Sequence, residues 1–99
     1  MLKLSEETRR KYSILVAITT SNSPSLLDIS NVTGIPSSSV KRYIAQIRSE
    51  FLIDLRFIQA NNGRGRRGHY HIFHWGVIDR SEFLINFGSI LDAQEKQVS

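Results

Sequence analysis

A short cationic loop is the part of the sequence best suited to binding a polyanion. Residues 60–75 read ANNGRGRRGHYHIFHW, in which Arg64, Arg66 and Arg67 alternate with glycines. Guanidinium groups pair with phosphate oxygens, and glycines let a loop follow a curved surface. The loop therefore predicts contacts with a nucleic-acid backbone or a narrow minor groove. The alternative is a solvated hairpin tip whose charges keep strand edges from associating.

The same loop has the spacing G-x-G-x-x-G at Gly63, Gly65 and Gly68, which also occurs in dinucleotide-binding sites. Such a site needs a helix directly after the glycines, so that its N-terminus meets the pyrophosphate. The residues that follow here, HYHIFHW, predict a strand instead. A kinase glycine loop does lie between strands, but it requires a catalytic lysine, magnesium-binding aspartates and a far longer chain. The spacing therefore indicates backbone freedom, and we expect no cofactor.

Three histidines follow the loop, and the chain contains no cysteine. His69 and His71 share one face of the predicted strand and His74 lies on the other, because side chains alternate. Three ligands cannot converge from one strand in this way, so we predict no metal site. His69 and His71 instead flank the cationic loop, where either could contact a nucleic-acid backbone or be merely exposed. No spacing supports a catalytic triad or a carboxylate pair, so we predict no enzymatic activity.

Two aromatic residues of the same strand allow two interpretations. Tyr70 and Trp75 could stack on bases, as aromatic residues do in proteins that bind single-stranded nucleic acid. Aromatic residues that lead into a small domain more commonly belong to its core.

A second polar group precedes the loop, on the predicted helix 37–51. At 100° per residue, this segment gathers its aliphatic and aromatic side chains on one face. The opposite face carries Ser38, Lys41, Arg42, Ala45, Gln46 and Ser49. Hydroxyls, cations and an amide are the groups that contact phosphates and base edges. The alternative is an ordinary solvated helix face.

Helix caps and turn residues define the elements that must position these groups. Ser5 is a predicted N-cap, Gly34 a predicted C-terminal stop, and Asp79 with Glu82 a predicted capping box. The predicted elements are helices at 5–20, 25–33 and 37–51, a hairpin at 52–75 and a helix at 79–95. This order predicts a single α+β, mostly helical domain over residues 1–99, with a three-helix core, a two-stranded hairpin and a C-terminal helix.

The charge distribution favours an anionic partner. The 99 residues carry a net charge of +4. Residues 41–67 hold seven basic and two acidic side chains, and residues 79–99 hold two basic and four acidic ones. A basic middle can face a polyanion, although charges that serve only solubility are the alternative. Without cysteines, a long apolar run or a secretory signal pattern, we expect a cytoplasmic protein with no membrane partner.

Residues 25–47, SLLDISNVTGIPSSSVKRYIAQI, resemble the helix-turn-helix of bacterial winged helix-turn-helix transcription regulators. The matching positions are Leu26, Asp28, Ile29, Ser30, Thr33, Gly34, Ile35, Val40, Ile44 and Ile47. In that family the second of the two helices enters the major groove, and the hairpin that follows, the wing, lies along the backbone or in the minor groove. The resemblance extends over about residues 5–75 and implies a sequence-specific regulator that binds double-stranded DNA.

The resemblance and the polar helix face lead to one expected set of DNA-contacting residues. They are Ser38, Ser39, Lys41, Arg42 and Gln46 on the recognition helix, and Arg64, Arg66, Arg67 and His69 in the wing. Two rival functions remain open at this point. One is a protein-interaction module on a winged-helix scaffold, and the other is an RNA or single-strand binder that uses Tyr70 and Trp75.

The apolar residues of the last predicted helix indicate contact with a second copy of the chain. Its apolar residues exceed what a small three-helix core needs, and we expect a homodimer through Phe83, Phe87, Ile90 and Leu91. The alternative is that this helix packs on the N-terminal helix of its own chain. A core of this size also leaves little room for an internal ligand pocket.

Overall fold

The computed structural model describes residues 4–59 and 68–92, and its elements follow the predicted order. The helices are α1 (Glu6–Thr20), α2 (Leu26–Thr33), α3 (Ser37–Phe51) and α4 (Arg80–Phe87), and the strands are β1 (Asp54–Gln59) and β2 (Gly68–His74). The predicted fold class, three helices followed by a two-stranded hairpin and a last helix, is confirmed. The loop at 60–67 lies outside the described residues.

Side-chain caps begin α1 and α2. The Ser5 hydroxyl accepts a hydrogen bond of 3.1 Å from the Thr8 N–H, as expected for an N-cap. At α2, Ser25 and Asp28 form a reciprocal capping box, in which each side chain accepts the other residue's N–H, at 3.1 and 3.0 Å. The sequence pattern did not predict this box, in which aspartate takes the position that glutamate or glutamine usually occupies.

Two tight turns set the directions of α3 and the hairpin. Gly34 ends α2 at φ 76°, the left-handed conformation predicted for it, and its N–H donates to the Ser30 carbonyl at 2.8 Å. Leu52 ends α3 at φ 56°, a conformation that is costly for a residue with a side chain. This left-handed Leu52 delays the first strand, which begins at Asp54 and not at the predicted residue 52.

The core lies where α1, α2, α3 and the hairpin meet. Fully buried side chains from each contribute to it: Ile14, Leu15, Val16, Ile29, Val40, Ile47 and Leu55. One charged pair also links α1 to α3, since the buried Lys11 Nζ lies 2.7 Å from Glu50 Oε1. The outer helices α1 and α3 are therefore joined by both apolar packing and an ion pair.

The hairpin is antiparallel and irregular at its base. Phe57 pairs with Tyr70 and Gln59 with Gly68, but the register shifts between Asp54 and Leu55, which leaves Phe73 as an extra residue on β2. On its second edge, β2 meets the loop between α1 and α2, where the Tyr70 N–H donates to the Pro24 carbonyl at 2.9 Å. The hairpin is thus attached on one edge to the start of the helix-turn-helix.

The C-terminal helix differs from its predicted extent of 79–95. Helix α4 ends at Phe87, a turn at residues 88–89 follows, and helical backbone resumes at residues 90–92, where the described residues end. Gly88 lies at the break, consistent with the low helix propensity of glycine. The Asp79 cap is confirmed, because its carboxylate accepts the Glu82 N–H at 3.0 Å.

The apolar side of α4 covers the chain's own α1. Phe83 is only 5% exposed, and its ring centroid lies 5.2 Å from that of Tyr12 and 5.5 Å from that of Trp75. Phe87 also packs on Tyr12, at 4.8 Å. The prediction that Phe83 contacts a second copy is therefore wrong, because it is buried in its own core. Ile90 and Leu91 are partly buried against the same core.

Candidate nucleic-acid interface

The outer face of α3 is exposed in the way its sequence pattern predicts. Val40, Tyr43, Ile44 and Ile47 are buried against the core. On the opposite side, the exposed residues are Ser38, Lys41, Arg42, Ala45 and Ser49. A ridge of hydroxyls and cations therefore projects from the domain along most of the helix. We call these five exposed residues the α3 ridge.

Two predicted contact residues of α3 are less accessible than the ridge. Ser39 is partly buried, and so is Gln46, whose Oε1 atom is buried without a hydrogen-bond partner among the described residues. An amide that reads adenine uses both its oxygen and its nitrogen. Gln46 must therefore change its side-chain rotamer before it can contact a base in that way. An unpaired buried acceptor costs about 1–3 kcal/mol, which favours such a change when a donor is offered.

A cation from α1 stands beside the ridge, and the sequence interpretation did not identify it. The Arg42 guanidinium carbon lies 4.9 Å from the centre of the Tyr43 ring, and Arg10 Nη1 donates to the Tyr43 hydroxyl at 3.4 Å. The hydrogen bonds to Tyr43 and to Glu6 raise the pKa of Arg10 above its ordinary value. Two guanidinium groups, 32 positions apart in sequence, thus flank one tyrosine. No local pattern could have revealed this pairing.

An open groove of about 1090 Å³ separates α3 from the hairpin. Helix α2 closes one end with Ser25, Leu26, Leu27 and Asp28, and the remaining lining residues are Lys41, Ile44, Arg48, Phe57, Gly68 and Tyr70. Lys41 and Arg48 are two turns apart on one side of α3, so both cations border the groove. The walls combine two cations with an aromatic pair, since the Phe57 and Tyr70 ring centroids are 5.1 Å apart.

Arg48 fastens the hairpin to α3. Its Nε donates to the Leu55 carbonyl oxygen at 2.6 Å, across the corner between helix and strand. The sequence interpretation counted Arg48 only as part of the basic middle. Its spacing of seven residues from Lys41 indicated a shared side of the helix, but no sequence pattern predicted the carbonyl that it contacts.

Of the four predicted wing contacts, the structure describes only His69. Arg64, Arg66 and Arg67 lie outside the described residues. His69 precedes the groove residue Tyr70 and points to the opposite face of the hairpin, where it lines a separate pocket. The structure therefore does not bring His69 together with the α3 ridge. Gly68 does border the groove, and a Cβ atom there would collide with the Phe57 ring.

Arg56, another cation of the basic middle, is already paired. Its guanidinium forms two hydrogen bonds with the Asp54 carboxylate, at 2.9 and 3.0 Å, and lies 4.9 Å from the Phe73 ring centre. This hydrogen bonding lowers the pKa of Asp54 and raises that of Arg56. Arg56 consequently adds little net charge to the surface near the groove.

Comparison with known proteins agrees with this architecture. A family model described as "Winged helix-turn helix" matches residues 3–93, nearly the whole chain. The chain belongs to the winged helix-turn-helix family. In this winged helix-turn-helix protein, α2 and α3 form the helix-turn-helix, and β1 and β2 form the strands of the wing. No curated protein matches the chain closely enough to count as a relative.

A solved structure shares the fold. The winged helix-turn-helix chain is similar to a DUF2131 family protein from Shewanella amazonensis SB2B, with 21% identity and a TM-score of 0.70. The similarity covers 91% of this chain and 93% of that one. At this identity the likeness concerns the arrangement of helices and strands.

The described part of this winged helix-turn-helix protein offers neither a metal site nor a membrane span. Among residues 4–59 and 68–92, no group of three or more histidine, cysteine or acidic side chains is placed to hold a metal ion. None of the helices in those residues is long and apolar enough to cross a bilayer. Domains of this family typically bind their partners without catalysing a reaction.

Proposed function

We propose that this protein is a sequence-specific, double-stranded DNA-binding transcription regulator of bacterial type, which acts in the cytoplasm and without catalysis. The observation that carries the proposal is the exposed α3 ridge, held beside the wing by the bond between Arg48 and the Leu55 carbonyl. In this arrangement α3 enters the major groove, and the wing reaches the backbone or the minor groove.

The α3 ridge and the partly buried Ser39 and Gln46 are assigned the task of reading sequence. Arg42 and Gln46 have side chains long enough to reach base edges, and Ser38 and Ser39 lie at the N-terminal end of α3, which enters the groove first. Arg42 is directed by its contact with the Tyr43 ring, which limits the rotamers that it samples. Gln46 gains partners for its buried amide oxygen only after rotating toward a base.

The groove beside α3 is assigned to one strand of the DNA backbone. Lys41 and Arg48 supply positive charge along it, and the N-terminus of α2 closes its end with backbone N–H groups. Asp28 also lines the groove, and its carboxylate accepts the Ser25 N–H in the capping box. Arg64, Arg66 and Arg67 directly precede Gly68, a residue that borders the groove, and we assign them to the same DNA backbone.

Selection of bound duplexes from a random pool tests this function. We expect enrichment of a defined motif by the unaltered protein. Arg42→Ala and Gln46→Ala should change base preference at individual positions, by about 1–3 kcal/mol for each lost base contact. Arg9→Ala is the matched control, because Arg9 lies on α1 and pairs with Glu6. Failure to bind any duplex at low salt would refute the proposal, and a uniform loss across all sequences would assign Arg42 and Gln46 to the backbone.

A second candidate is the binding of single-stranded nucleic acid in the same groove. The observation that favours it is the Phe57–Tyr70 ring pair, because Phe57 is 43% exposed and both rings border the two groove cations. Exposed rings stack on unpaired bases. Competition between a duplex and its separated strands decides between the candidates, since a single-strand binder loses little affinity when duplex competitor is added.

A homodimer would suit the proposed function, because two-fold symmetry matches a pseudo-palindromic operator. With Phe83 buried in its own core, the contact would use Ile85, which is 75% exposed on α4, and the exposed parts of the partly buried Ile90 and Leu91. Sedimentation equilibrium of the unaltered protein and of Ile85→Glu tests this arrangement. A monomer at micromolar concentration in both cases would contradict it.

A further inference from the structure

A second pocket, of about 340 Å³, shares Tyr70 with the groove but is otherwise lined by different residues. It is enclosed by the loop between α1 and α2, by β2 and by the first residue of α4. Its volume is within the range of about 300–1,000 Å³ that small-molecule sites occupy, whereas the α3 groove is wider and more open. The pocket lies at the surface, and so it does not need the internal space that the small core lacks.

Among the described residues that line this pocket, Arg80 is the only one with a formal charge. Arg80 contributes a guanidinium group, and His69 and His71 contribute imidazoles. None of the described residues that line the pocket is acidic. The side chains of Arg80 and His69 form no hydrogen bond or ion pair with another residue of the described ranges. Their donors are therefore available to an anion that enters from solvent.

The remaining walls supply a flat apolar surface and neutral donors. Trp75 and Ile72 contribute apolar surface, and Ser21 and Asn22 contribute a hydroxyl and an amide. The loop carrying Ser21 and Asn22 is held against β2 by the bond from the Tyr70 N–H to the Pro24 carbonyl, at 2.9 Å. The loop and the strand that form the pocket are thus hydrogen-bonded to each other. The lining combines apolar surface with polar groups, which suits a small organic molecule.

We propose that this pocket binds a small organic anion, either a phosphate ester or a carboxylate. The anionic group lies beside Arg80 and His69, which donate to its oxygens. The body of the ligand packs against the Trp75 ring, and Ser21 and Asn22 donate to its polar substituents.

Trp75 makes the site directly measurable. It is the single tryptophan of the chain, so intrinsic fluorescence reports on this pocket. The protein is titrated, without DNA and at constant ionic strength, with glucose 6-phosphate, cyclohexanecarboxylate and inorganic phosphate. Glucose and cyclohexanol are the uncharged controls. We expect a saturable change with at least one organic anion and none with its uncharged counterpart. Tighter binding of glucose 6-phosphate would identify the ligand as a phosphate ester, and tighter binding of cyclohexanecarboxylate would identify it as a carboxylate.

Substitutions locate the binding site. Arg80→Gln should weaken binding of that anion at least tenfold, because the principal cation is removed. Arg9→Gln, at an arginine outside the pocket, should leave the affinity unchanged. Circular dichroism verifies the fold, and His69→Gln, expected to weaken binding severalfold, replaces Arg80→Gln if that variant does not fold.

Three results would overturn the proposal. The first is a fluorescence response that never saturates or that the uncharged compounds reproduce. The second is an undiminished affinity of the folded Arg80→Gln or His69→Gln variant. The third is equal affinity for inorganic phosphate and the organic anions, which would mean an adventitious ion only. Because DNA is absent from these titrations, their outcome is independent of the proposed function.

Discussion

Arg48 on α3 donates a 2.6 Å hydrogen bond from Nε to the carbonyl oxygen of Leu55 on β1. The Leu55 side chain is buried in the core, so the strand cannot shift without exposing apolar surface. The bond therefore sets the angle between the proposed recognition helix and the wing. It joins the two elements whose relative position determines whether both can contact one duplex.

Arg48→Met should weaken both stability and DNA binding. Methionine retains the apolar stem but leaves the Leu55 carbonyl without its charged donor, so we expect a loss of about 1–3 kcal/mol in the free energy of unfolding by urea. Lys41→Met is the control, because Lys41 borders the same groove but its ammonium group has no hydrogen-bond or ion-pair partner among the described residues. That variant should lose DNA affinity with less than about 0.5 kcal/mol of stability. Equal stabilities of the two variants would show that the Arg48 bond contributes nothing.

Gly76→Ala should destabilise the domain more than Gly34→Ala. Both glycines have positive φ angles, 61° and 76°, which an alanine adopts at a cost of about 1 kcal/mol. At Gly76 the added Cβ would also collide with the Phe51 and Leu52 carbonyls, whereas the space around Gly34 is open. Urea unfolding of both variants measures the difference. A smaller loss at Gly76 would mean that the corner between α3 and β2 can relax.

Replacing Arg64, Arg66 and Arg67 together with alanine should flatten the salt dependence of duplex binding. If each arginine neutralises one phosphate, the slope of log affinity against log salt concentration falls by up to about 3. Fluorescence anisotropy at several salt concentrations measures the slope, and Arg9→Ala supplies the baseline for losing one cation elsewhere. An unchanged slope would remove the wing arginines from the set of backbone contacts.

The Asp54–Arg56 pair should contribute to stability in a defined pH window. Its hydrogen bond to Arg56 lowers the pKa of Asp54 from the ordinary value of 3.8. The unfolded chain therefore binds this proton at a higher pH than the folded chain does, so the contribution is present above pH 3.8 and is lost as the pH falls through the folded pKa. The stability of the Asp54→Asn variant should fall less steeply with decreasing pH than that of the unaltered protein. Thermal unfolding between pH 5 and about 2 measures both slopes. Parallel curves for both proteins would exclude the pair as a contributor.

The elements of the fold follow from signals that are local in sequence. Helix α3 spans residues 37–51 as predicted, because its apolar residues recur at helical spacing and Pro36 marks the position before its first turn. Gly34 ends α2 because a residue without a Cβ adopts the left-handed conformation without steric cost. The exposed α3 ridge could be predicted for the same reason, since burying one face of a helix exposes the other.

Contacts between distant residues could not be predicted in this way. Phe83 has the same apolar character whether it covers its own core or a second copy, and the nearby rings of Tyr12 and Trp75 determine which it does. His69 alternates correctly along β2, but which face of the hairpin meets α3 depends on the packing of Leu55 and Tyr70. Arg48 donates to the Leu55 carbonyl only because the left-handed turn at Leu52 places β1 beside α3. Periodicity and caps act over a few residues, whereas these choices depend on which surfaces the folded chain brings into contact.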